Sequence, residues 1–265
     1  MQSRNLQKDM DVSYQTIHWQ ERFQLIHQGL GKKLVAIALS IIYKPEWPLL
    51  IICPFVLRHA WQEEFVRWIP NIKLEYIQVF GSSTAETLNP AAKIYIISYQ
   101  LITHEVVLKR FEERGFKLAI VDQASYLKCH DSDWSQALLP FLFALRRVIM
   151  LAGSNFQENP LEIYNLLKVI RPDYMPDFLK FCMRYADPLK RPDGVEFIGR
   201  SFSHELSQLF RKRFALRRTR DDENIEVESF TRQKIEISGV QGIVKGVLQE
   251  INEGPFAQYE EAHPG

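Results

Sequence analysis

Short aliphatic and β-branched runs alternate with segments of helical period along most of this chain, and this alternation restricts its fold more than any other feature. The run Leu49–Cys53 is apolar throughout and lies between Pro48 and Pro54, as expected of a strand covered on both faces. Other strands are predicted at Arg22–Ile26, Tyr76–Phe80, Lys93–Ser98, Phe116–Asp122 and Arg147–Gly153. Strands that alternate with helices form a parallel sheet. We therefore predict a three-layer α/β domain that binds ligands at the carboxyl ends of its strands.

Apolar residues at helical spacing predict the helices between these strands. The first set is Leu34, Ile37 and Ile41, the second is Leu57, Trp61, Phe65 and Trp68, and a third helix is predicted near Gln100–Arg110. The region from Asn155 to Arg220 is predicted to be mostly helical, with core-facing side chains at Leu161, Tyr164, Leu167, Leu206, Leu209 and Phe210. The domain is expected to span residues 22–238, between an N-terminal segment 1–21 and a C-terminal tail 239–265.

The composition excludes several classes of protein. Hydrophobic residues make up 46% and charged residues 25% of the chain, which rules out a disordered or low-complexity protein. With 33 Lys and Arg against 32 Asp and Glu, the net charge of +1 gives no overall reason to bind a polyanion. The cysteines lack the CxxC spacing of zinc sites, and no run reaches the roughly 18 apolar residues that cross a bilayer. We expect a globular protein of a reducing compartment with no membrane partner.

The segment Gly29-Leu30-Gly31-Lys32-Lys33 lies between the first predicted strand and the helix that follows it. Phosphate-binding loops occupy this place, because glycines let the backbone approach a ligand and the helix N-terminus offers free N–H groups. The same pattern also occurs in ordinary strand-to-helix turns. The segment is therefore a candidate nucleotide-binding loop, with the ordinary turn as the alternative.

An ordered set of motifs follows this loop. The block Glu46–Pro54 is followed by Leu57–Trp61 and Trp68–Pro70. Further along the chain stand Ile97-Ser98-Tyr99, Ile120-Val121-Asp122, Tyr126-Leu127-Lys128, Arg146–Leu151, Pro160–Tyr164, Arg184-Tyr185 and Leu216-Arg217-Arg218. In order and spacing these motifs resemble those of the Swi/Snf-type DNA-dependent ATPases of helicase superfamily two, in particular the annealing-helicase (HARP-like) subgroup.

The resemblance implies the first RecA-like lobe of a two-lobed motor. Proteins of this kind bind ATP between their lobes, track along duplex DNA, and remodel chromatin or rewind stalled forks. The expected partners are therefore duplex or fork DNA and a second RecA-like lobe or another protein, and the expected location is the nucleus. An arginine of the second lobe would stabilise the transferred phosphoryl group, a contribution of roughly 10³ to 10⁵ in rate in related reactions.

Two departures from the family pattern affect the expected chemistry. The family's loop ends in GKT, whose threonine hydroxyl binds Mg²⁺, and this chain has Lys33 there. A unit charge facing a divalent ion at about 4 Å costs on the order of 8 kcal/mol at an effective dielectric near 20, so Mg²⁺ binding is doubtful. The family's Asp-Glu box reads Asp122-Gln123 here. Asp122 remains a candidate metal ligand, but the amide of Gln123 cannot act as a general base.

Other departures point the same way. The third family box, Ser-Gly-Thr-Pro, reads Ala-Gly-Ser-Asn at 152–155, and the acidic pair expected before the loop is Ile26 and His27. Phe55 and Val56 replace hydroxyl residues that usually contact the DNA backbone. Together these changes predict a lobe whose fold is kept and whose ATP hydrolysis is lost, with weak or metal-independent ATP binding.

Two more segments contain candidate binding residues. Tyr14-Gln15 resembles a remnant of the motif whose glutamine reads adenine, although it lies closer to the loop than in the family; a surface pair is the alternative. Six of the ten residues from Arg211 to Arg220 are cationic, and the family uses the neighbouring region near its cleft. The candidate DNA-binding residues are Arg211, Arg213, Arg217 and Arg218. The alternatives are a solvated helix face and a nuclear-import patch.

Three functions are consistent with these residues. The first is a hydrolysis-deficient nucleotide- or DNA-binding module linked to DNA repair, fork remodelling or chromatin. The second is a working ATP-dependent DNA translocase half that needs a second lobe. The third is a structural or protein-interaction pseudoenzyme. The first is preferred, because Gly29, Gly31, Lys32 and Asp122 are all retained.

Overall fold

The computed structural model describes residues 22–26, 31–129, 132–153, 159–192, 194–209 and 215–218, and its centre is a parallel β-sheet. The strands of the described residues are β1 (Arg22–Ile26), β2 (Leu49–Cys53), β3 (Ile77–Val79), β4 (Ile94–Ser98), β5 (Leu118–Val121), β6 (Arg147–Ala152), β7 (Pro188–Arg191), β8 (Gly194–Phe197) and β9 (Ala215–Arg218). The main sheet has the order β3-β4-β2-β5-β6-β1-β9, and all its neighbouring strands are parallel. Strands β7 and β8 form a separate antiparallel ribbon.

Helices follow the strands as the alternating pattern predicts. They are α1 (Lys32–Ile42), α2 (Arg58–Trp68), α3 (Tyr99–Ile102), α4 (Glu105–Arg114), α5 (Asp133–Ala144), α6 (Pro160–Ile170), α7 (Phe178–Tyr185) and α8 (Ser203–Leu209). Short 3₁₀ turns lie at Lys44–Glu46, Phe55–Leu57, Leu74–Tyr76 and Ala124–Leu127.

The sheet has a hydrophobic core on each face, and β2 shows how one strand supplies both. All five of its residues are fully buried. Because successive side chains point to opposite faces, Leu49, Ile51 and Cys53 pack with residues of α1 and α2. Leu50 and Ile52 pack on the other face with residues of α3, α4, α5 and α6. This arrangement confirms the predicted three-layer α/β fold.

The predicted strands are all present, most of them trimmed by a residue or more at an end, and β1 has the predicted bounds. The helix predicted near Gln100–Arg110 is instead two helices, α3 and α4. His104 separates them, because its extended backbone (φ −66°, ψ 125°) starts the second helix. The core-facing predictions for Tyr164, Leu167 and Leu206 are confirmed by burial, whereas Leu161 and Leu209 are partly buried against the same core.

The region after Asn155 is less helical than predicted. Helices α6, α7 and α8 are present, but the β7–β8 ribbon interrupts them and β9 adds a parallel strand beside β1. The short edge strand was missed because Ala215-Leu216-Arg217-Arg218 lacks the continuous apolar run of a covered strand. Phe210, the segment 1–21 and the boundary at 238 with the tail beyond it lie outside the described residues.

Candidate nucleotide-binding site

The carboxyl ends of the strands meet at one edge of the sheet, because all its strands are parallel. Val121 at the end of β5 pairs with Ile52 of β2, and the backbone N–H of Asp122 donates to the Ile52 carbonyl at 2.8 Å. Ile120 belongs to the core on the α1 and α2 face. Side chains two positions apart share a face, so Asp122 also faces these helices.

Helix α1 begins at this edge with an uncapped N-terminus. Gly31 is its N-cap residue and takes the left-handed conformation (φ 77°, ψ 27°), which glycine adopts without the steric cost of a side chain. Gly31 has no side chain with which to cap the helix, and the first turn contains no acidic residue. The free N–H groups and the helix dipole therefore favour an anion here. Lys32 and Lys33 are the first two residues of α1, and both are half-buried.

The side chain of Lys33 points towards helix α2. Its Nζ lies 5.5 Å from the centroid of the Trp61 ring, within the range of a cation–π contact. Trp61 has no exposed surface, and its Nε1 donates to Oδ2 of Asp122 at 3.0 Å. The side chains of Lys33, Trp61 and Asp122 thus connect the start of α1, helix α2 and the end of β5.

Asp122 is almost completely buried, with 5% of its surface exposed. Besides the Trp61 contact at Oδ2, its Oδ1 accepts from the backbone N–H of Gln123 at 2.9 Å. Its backbone carbonyl accepts a 2.7 Å hydrogen bond from the hydroxyl of Tyr99. The Asp122 carboxylate is therefore held in one orientation by donors from two different elements.

The buried surroundings of Asp122 also affect two neighbouring acids. Burial, and next the negative charge of Asp122, raise the pKa of Cys53 to about 12, while Arg58 and Lys33 act in the opposite direction. Burial is again the main reason that the pKa of Tyr99 is raised well above its ordinary value, and Asp122 adds to it. Both groups therefore stay protonated at neutral pH.

Arg58 braces the segment that follows β2. Its Nε donates to the Phe55 carbonyl at 2.9 Å, and one guanidinium nitrogen donates to the carbonyls of Phe80 and Gly81. The guanidinium also lies 3.6 Å from the centroid of the Phe55 ring. Phe55 is 45% exposed and Val56 is 81% exposed. The positions where the family pattern has hydroxyl residues therefore present an apolar surface.

Gln123, the predicted remnant of the acidic box, is exposed and has a positive φ of 51°. Its backbone orients Asp122, whereas its side-chain amide has no basic oxygen for proton transfer. At the third box, Ala152 is buried and ends β6, and Gly153 follows it exposed. Ser154 and Asn155 lie outside the described residues, as do Gly29, Leu30 and Gln15.

The structure describes two of the four cationic candidates. Arg217 and Arg218 lie in β9 and pair with Leu25 and Ile26 of β1, so the alternative of a solvated helix face does not hold for them. Leu25 also pairs with Ala152 of β6, which places both arginines towards the carboxyl edge of the sheet. Arg211 and Arg213 are not among the described residues.

The residues around Asp122 do not fit a magnesium ion. Each carboxylate oxygen accepts one N–H group and keeps a further lone pair, but the family's hydroxyl ligand is replaced by the Lys33 ammonium, which cannot bind a cation. Mg²⁺ requires near-octahedral oxygen ligands. Within the described residues, no cluster of three or more His, Cys, Asp or Glu side chains suits a metal ion.

Among the described residues, no helix is long and apolar enough to span a membrane.

The sequence pattern places Trp61 only on a predicted helix and indicates no separate role for Cys53, Tyr99 or Arg58. The helical spacing of Trp61 and Phe65 indicates a buried face, but it does not reveal which polar group the indole N–H reaches. A sequence signal was available for Tyr99, since it directly follows the strand that ends at Ser98, where ligand-site residues of parallel sheets gather.

The parallel sheet with a glycine-led helix and an acidic residue at its carboxyl edge defines an α/β lobe of the RecA-like class. The chain belongs to the SNF2-related domain family, whose model matches residues 25–241. This confirms the family resemblance of the motifs. The SWI2/SNF2 ATPase core of Sulfolobus solfataricus in complex with dsDNA has a similar fold, with a TM-score of 0.63 over 77% of this chain and 41% of that chain, at 22% sequence identity.

Two curated relatives are named as a DNA annealing helicase and as a regulator of chromatin. The DNA annealing helicase and endonuclease ZRANB3 of Mus musculus is 32% identical over 213 residues, which are 78% of this chain and 20% of that protein. The SWI/SNF-related matrix-associated actin-dependent regulator of chromatin subfamily A-like protein 1 of Xenopus tropicalis is 29% identical over 222 residues, 83% of this chain and 23% of that protein. The chain thus spans roughly a fifth of these relatives' length.

Proposed function

We propose that this chain is a first ATPase lobe of the SNF2 type that binds nucleotide, and DNA beside it, without hydrolysing ATP efficiently. The observation that carries the proposal is the placement of Lys33. Its ammonium lies over the ring of Trp61, whose indole N–H donates to the Asp122 carboxylate, and the family pattern has a metal-binding hydroxyl at this position. A nucleotide phosphate at this edge would meet a cation and a helix N-terminus, whereas Gln123 occupies the position of the family's general base.

Nucleotide binding is supported by the parts of the loop that the structure describes. Gly31 begins α1 without a capping side chain, and Lys32 and Lys33 follow it directly. These are the features that hold a phosphate by backbone N–H groups and by charge. We expect weak ATP or ADP binding through Lys32 and Lys33.

DNA is the proposed macromolecular partner. The similar archaeal core was solved with dsDNA, and the two relatives are named as an annealing helicase and a chromatin regulator. Arg217 and Arg218 lie towards the carboxyl edge, where cations can neutralise phosphates without reading sequence. We therefore place the protein in the nucleus, in DNA repair, fork remodelling or chromatin, with a second RecA-like lobe or another protein as a further partner.

A protein-interaction role is the second candidate, and one observation favours it. Phe55 and Val56 are exposed at the segment that follows β2, where the family's hydroxyl residues contact DNA. Apolar side chains make poor contacts to a phosphate backbone and good contacts to another protein. A working translocase half is the third candidate, and Lys33 and Gln123 count against it.

The experiment that tests the proposal measures ATP hydrolysis and nucleotide binding together, with fork DNA present. We expect the unmodified chain to bind ADP but to show no DNA-stimulated turnover. Lys32→Ala should lose nucleotide binding, and Lys33→Thr combined with Gln123→Glu tests whether restored family residues restore any turnover. Lys44→Thr, at an exposed lysine before β2, is the matched control. DNA-stimulated turnover by the unmodified chain would make the translocase half the correct function, and absence of both nucleotide and DNA binding would favour the interaction role.

A further inference from the structure

Lys33, Trp61 and Asp122 form a continuous series of contacts at the candidate site. The ammonium of Lys33 lies over the Trp61 ring at 5.5 Å from its centroid. The indole N–H of the same ring donates to Asp122 at 3.0 Å. Trp61 is fully buried and Asp122 is 5% exposed, so little water intervenes in this part of the series.

These contacts reinforce one another electrostatically. A cation over the face of an indole is attracted by the ring quadrupole. The same cation draws electron density towards itself, and this makes the indole N–H a better donor to the carboxylate. A hydrogen bond to an ionised carboxylate is already stronger than one between neutral groups. The carboxylate of Asp122 therefore has two hydrogen-bond donors within the protein itself.

We propose that Lys33 and the Trp61 indole together take the place of a metal ion at Asp122, so that this site selects metal-free nucleotide polyphosphate over its Mg²⁺ complex. The inference rests on the proposed nucleotide binding at Lys32 and Lys33. It specifies in addition that the nucleotide is bound without Mg²⁺. It also assigns Trp61 as a positioning residue that acts through Asp122.

Two physical effects lead to this preference. A divalent ion beside Asp122 would compete with the indole N–H at Oδ2 and with the Gln123 N–H at Oδ1. The Lys33 ammonium, which lies over the ring that donates to Asp122, would also repel the ion. A polyphosphate without Mg²⁺, in contrast, presents more negative charge to Lys33 and to the N-terminus of α1. Magnesium bound to the phosphates therefore weakens the interaction that holds the ligand.

The first experiment needs no nucleotide. The protein is labelled with ¹⁵N, and the indole N–H signals are followed while Mn²⁺ is added, because a bound paramagnetic ion broadens signals near it. We expect the Trp61 signal of the unmodified chain to broaden no more than that of Trp68. In the Lys33→Thr variant, which restores the family's hydroxyl, the Trp61 signal should broaden first. Selective broadening of Trp61 in the unmodified chain would overturn the inference.

The second experiment titrates ADP into the protein in EDTA and in Mg²⁺. The unmodified chain should bind ADP at least as tightly in EDTA as in Mg²⁺. Lys33→Thr combined with Trp61→Phe should instead bind ADP about tenfold more tightly in Mg²⁺ than in EDTA, because this variant lacks the ammonium that repels the ion. Trp68→Phe is the matched control. Trp68 lies on the same helix, and its indole N–H donates a 2.7 Å hydrogen bond to Glu64 instead of Asp122. Should the Trp61 variant fold poorly, Lys33→Thr alone still tests the metal preference.

The two proposals fail in different ways. Lack of ADP binding in both buffers would refute the proposed nucleotide binding, while the Mn²⁺ experiment would still decide whether Asp122 accepts a metal. ADP binding that requires Mg²⁺ would leave the nucleotide function standing and refute the role given to Lys33 and Trp61.

Discussion

The hydroxyl of Tyr99 donates to the backbone carbonyl of Asp122 at 2.7 Å and so joins the residue after β4 to the residue after β5. These strands are not neighbours, because β2 lies between them in the sheet. The bond therefore ties together the ends of strands across the candidate site. Tyr99 is fully buried, and its ring also packs on Tyr126 and Trp134.

Removing this hydroxyl should destabilise the protein. Tyr99→Phe leaves the Asp122 carbonyl without this buried donor, and we expect the free energy of unfolding to fall by about 1 to 3 kcal/mol. Urea denaturation measures the change. Tyr126→Phe is the control, since Tyr126 belongs to the same aromatic cluster but is 40% exposed. Equal stability of the two variants would show that the Tyr99 bond contributes nothing.

Replacing Arg58 should have a larger effect. Arg58→Met removes the donor to the carbonyls of Phe55, Phe80 and Gly81, and we expect a loss of about 3 kcal/mol because buried polar groups lose their partner. Arg67→Met on the same helix is the control. The Arg67 side chain is 70% exposed in a 3.8 Å ion pair, so its loss should cost under about 0.5 kcal/mol. Chemical denaturation measures the loss in the free energy of unfolding for both variants. Similar losses for the two would contradict the prediction.

The cysteines should differ sharply in reactivity. Cys129 is exposed, whereas Cys53 and Cys182 are buried, and burial raises their pKa to about 12 and about 11. The thiolate is the reactive form. At pH 8 iodoacetamide should therefore label Cys129 in the folded protein and the other two only in denaturant. Peptide mass spectrometry identifies the labelled residues, and fast labelling of Cys53 would show that the edge near Asp122 is open to solvent.

The same shift makes stability depend on pH at the alkaline end. The unfolded Cys53 thiol ionises near its ordinary value of 9.0, whereas the folded thiol stays protonated to about 12. A raised pKa stabilises the folded state fully below 9, and this contribution decreases as the pH rises from 9 towards 12. Between pH 8 and pH 10 the urea midpoint of unfolding should therefore decrease more for the unmodified chain than for Cys53→Ala.

Arg217 and Arg218 should contribute to a salt-dependent affinity for DNA. If each neutralises one phosphate, replacing both with alanine should reduce the slope of log affinity against log salt by about 1.8. Fluorescence anisotropy with a labelled duplex measures this slope. Arg146→Ala is the control, because Arg146 is exposed at the start of β6, near the opposite edge. An unchanged slope in the double variant would mean that β9 does not contact DNA.

Local patterns predicted much of the fold. The unbroken apolar run of β2 identifies a strand covered on both faces, and all its residues are buried. The break between α3 and α4 was not visible, because Thr103 and His104 carry no glycine or proline signal. Nor was β9, whose partner β1 lies far away in sequence.

The sequence by itself determined the family, the parallel α/β architecture and the identity of the altered site residues Lys33 and Gln123. These depend on residue types and spacings that stand in the chain in order. Only the tertiary structure decided that Trp61 donates to Asp122 and that Lys33 covers the same ring. The physical reason is that these residues come from α1, α2 and the end of β5. Their contact depends on how both helices pack against the sheet, and no local periodicity encodes that packing.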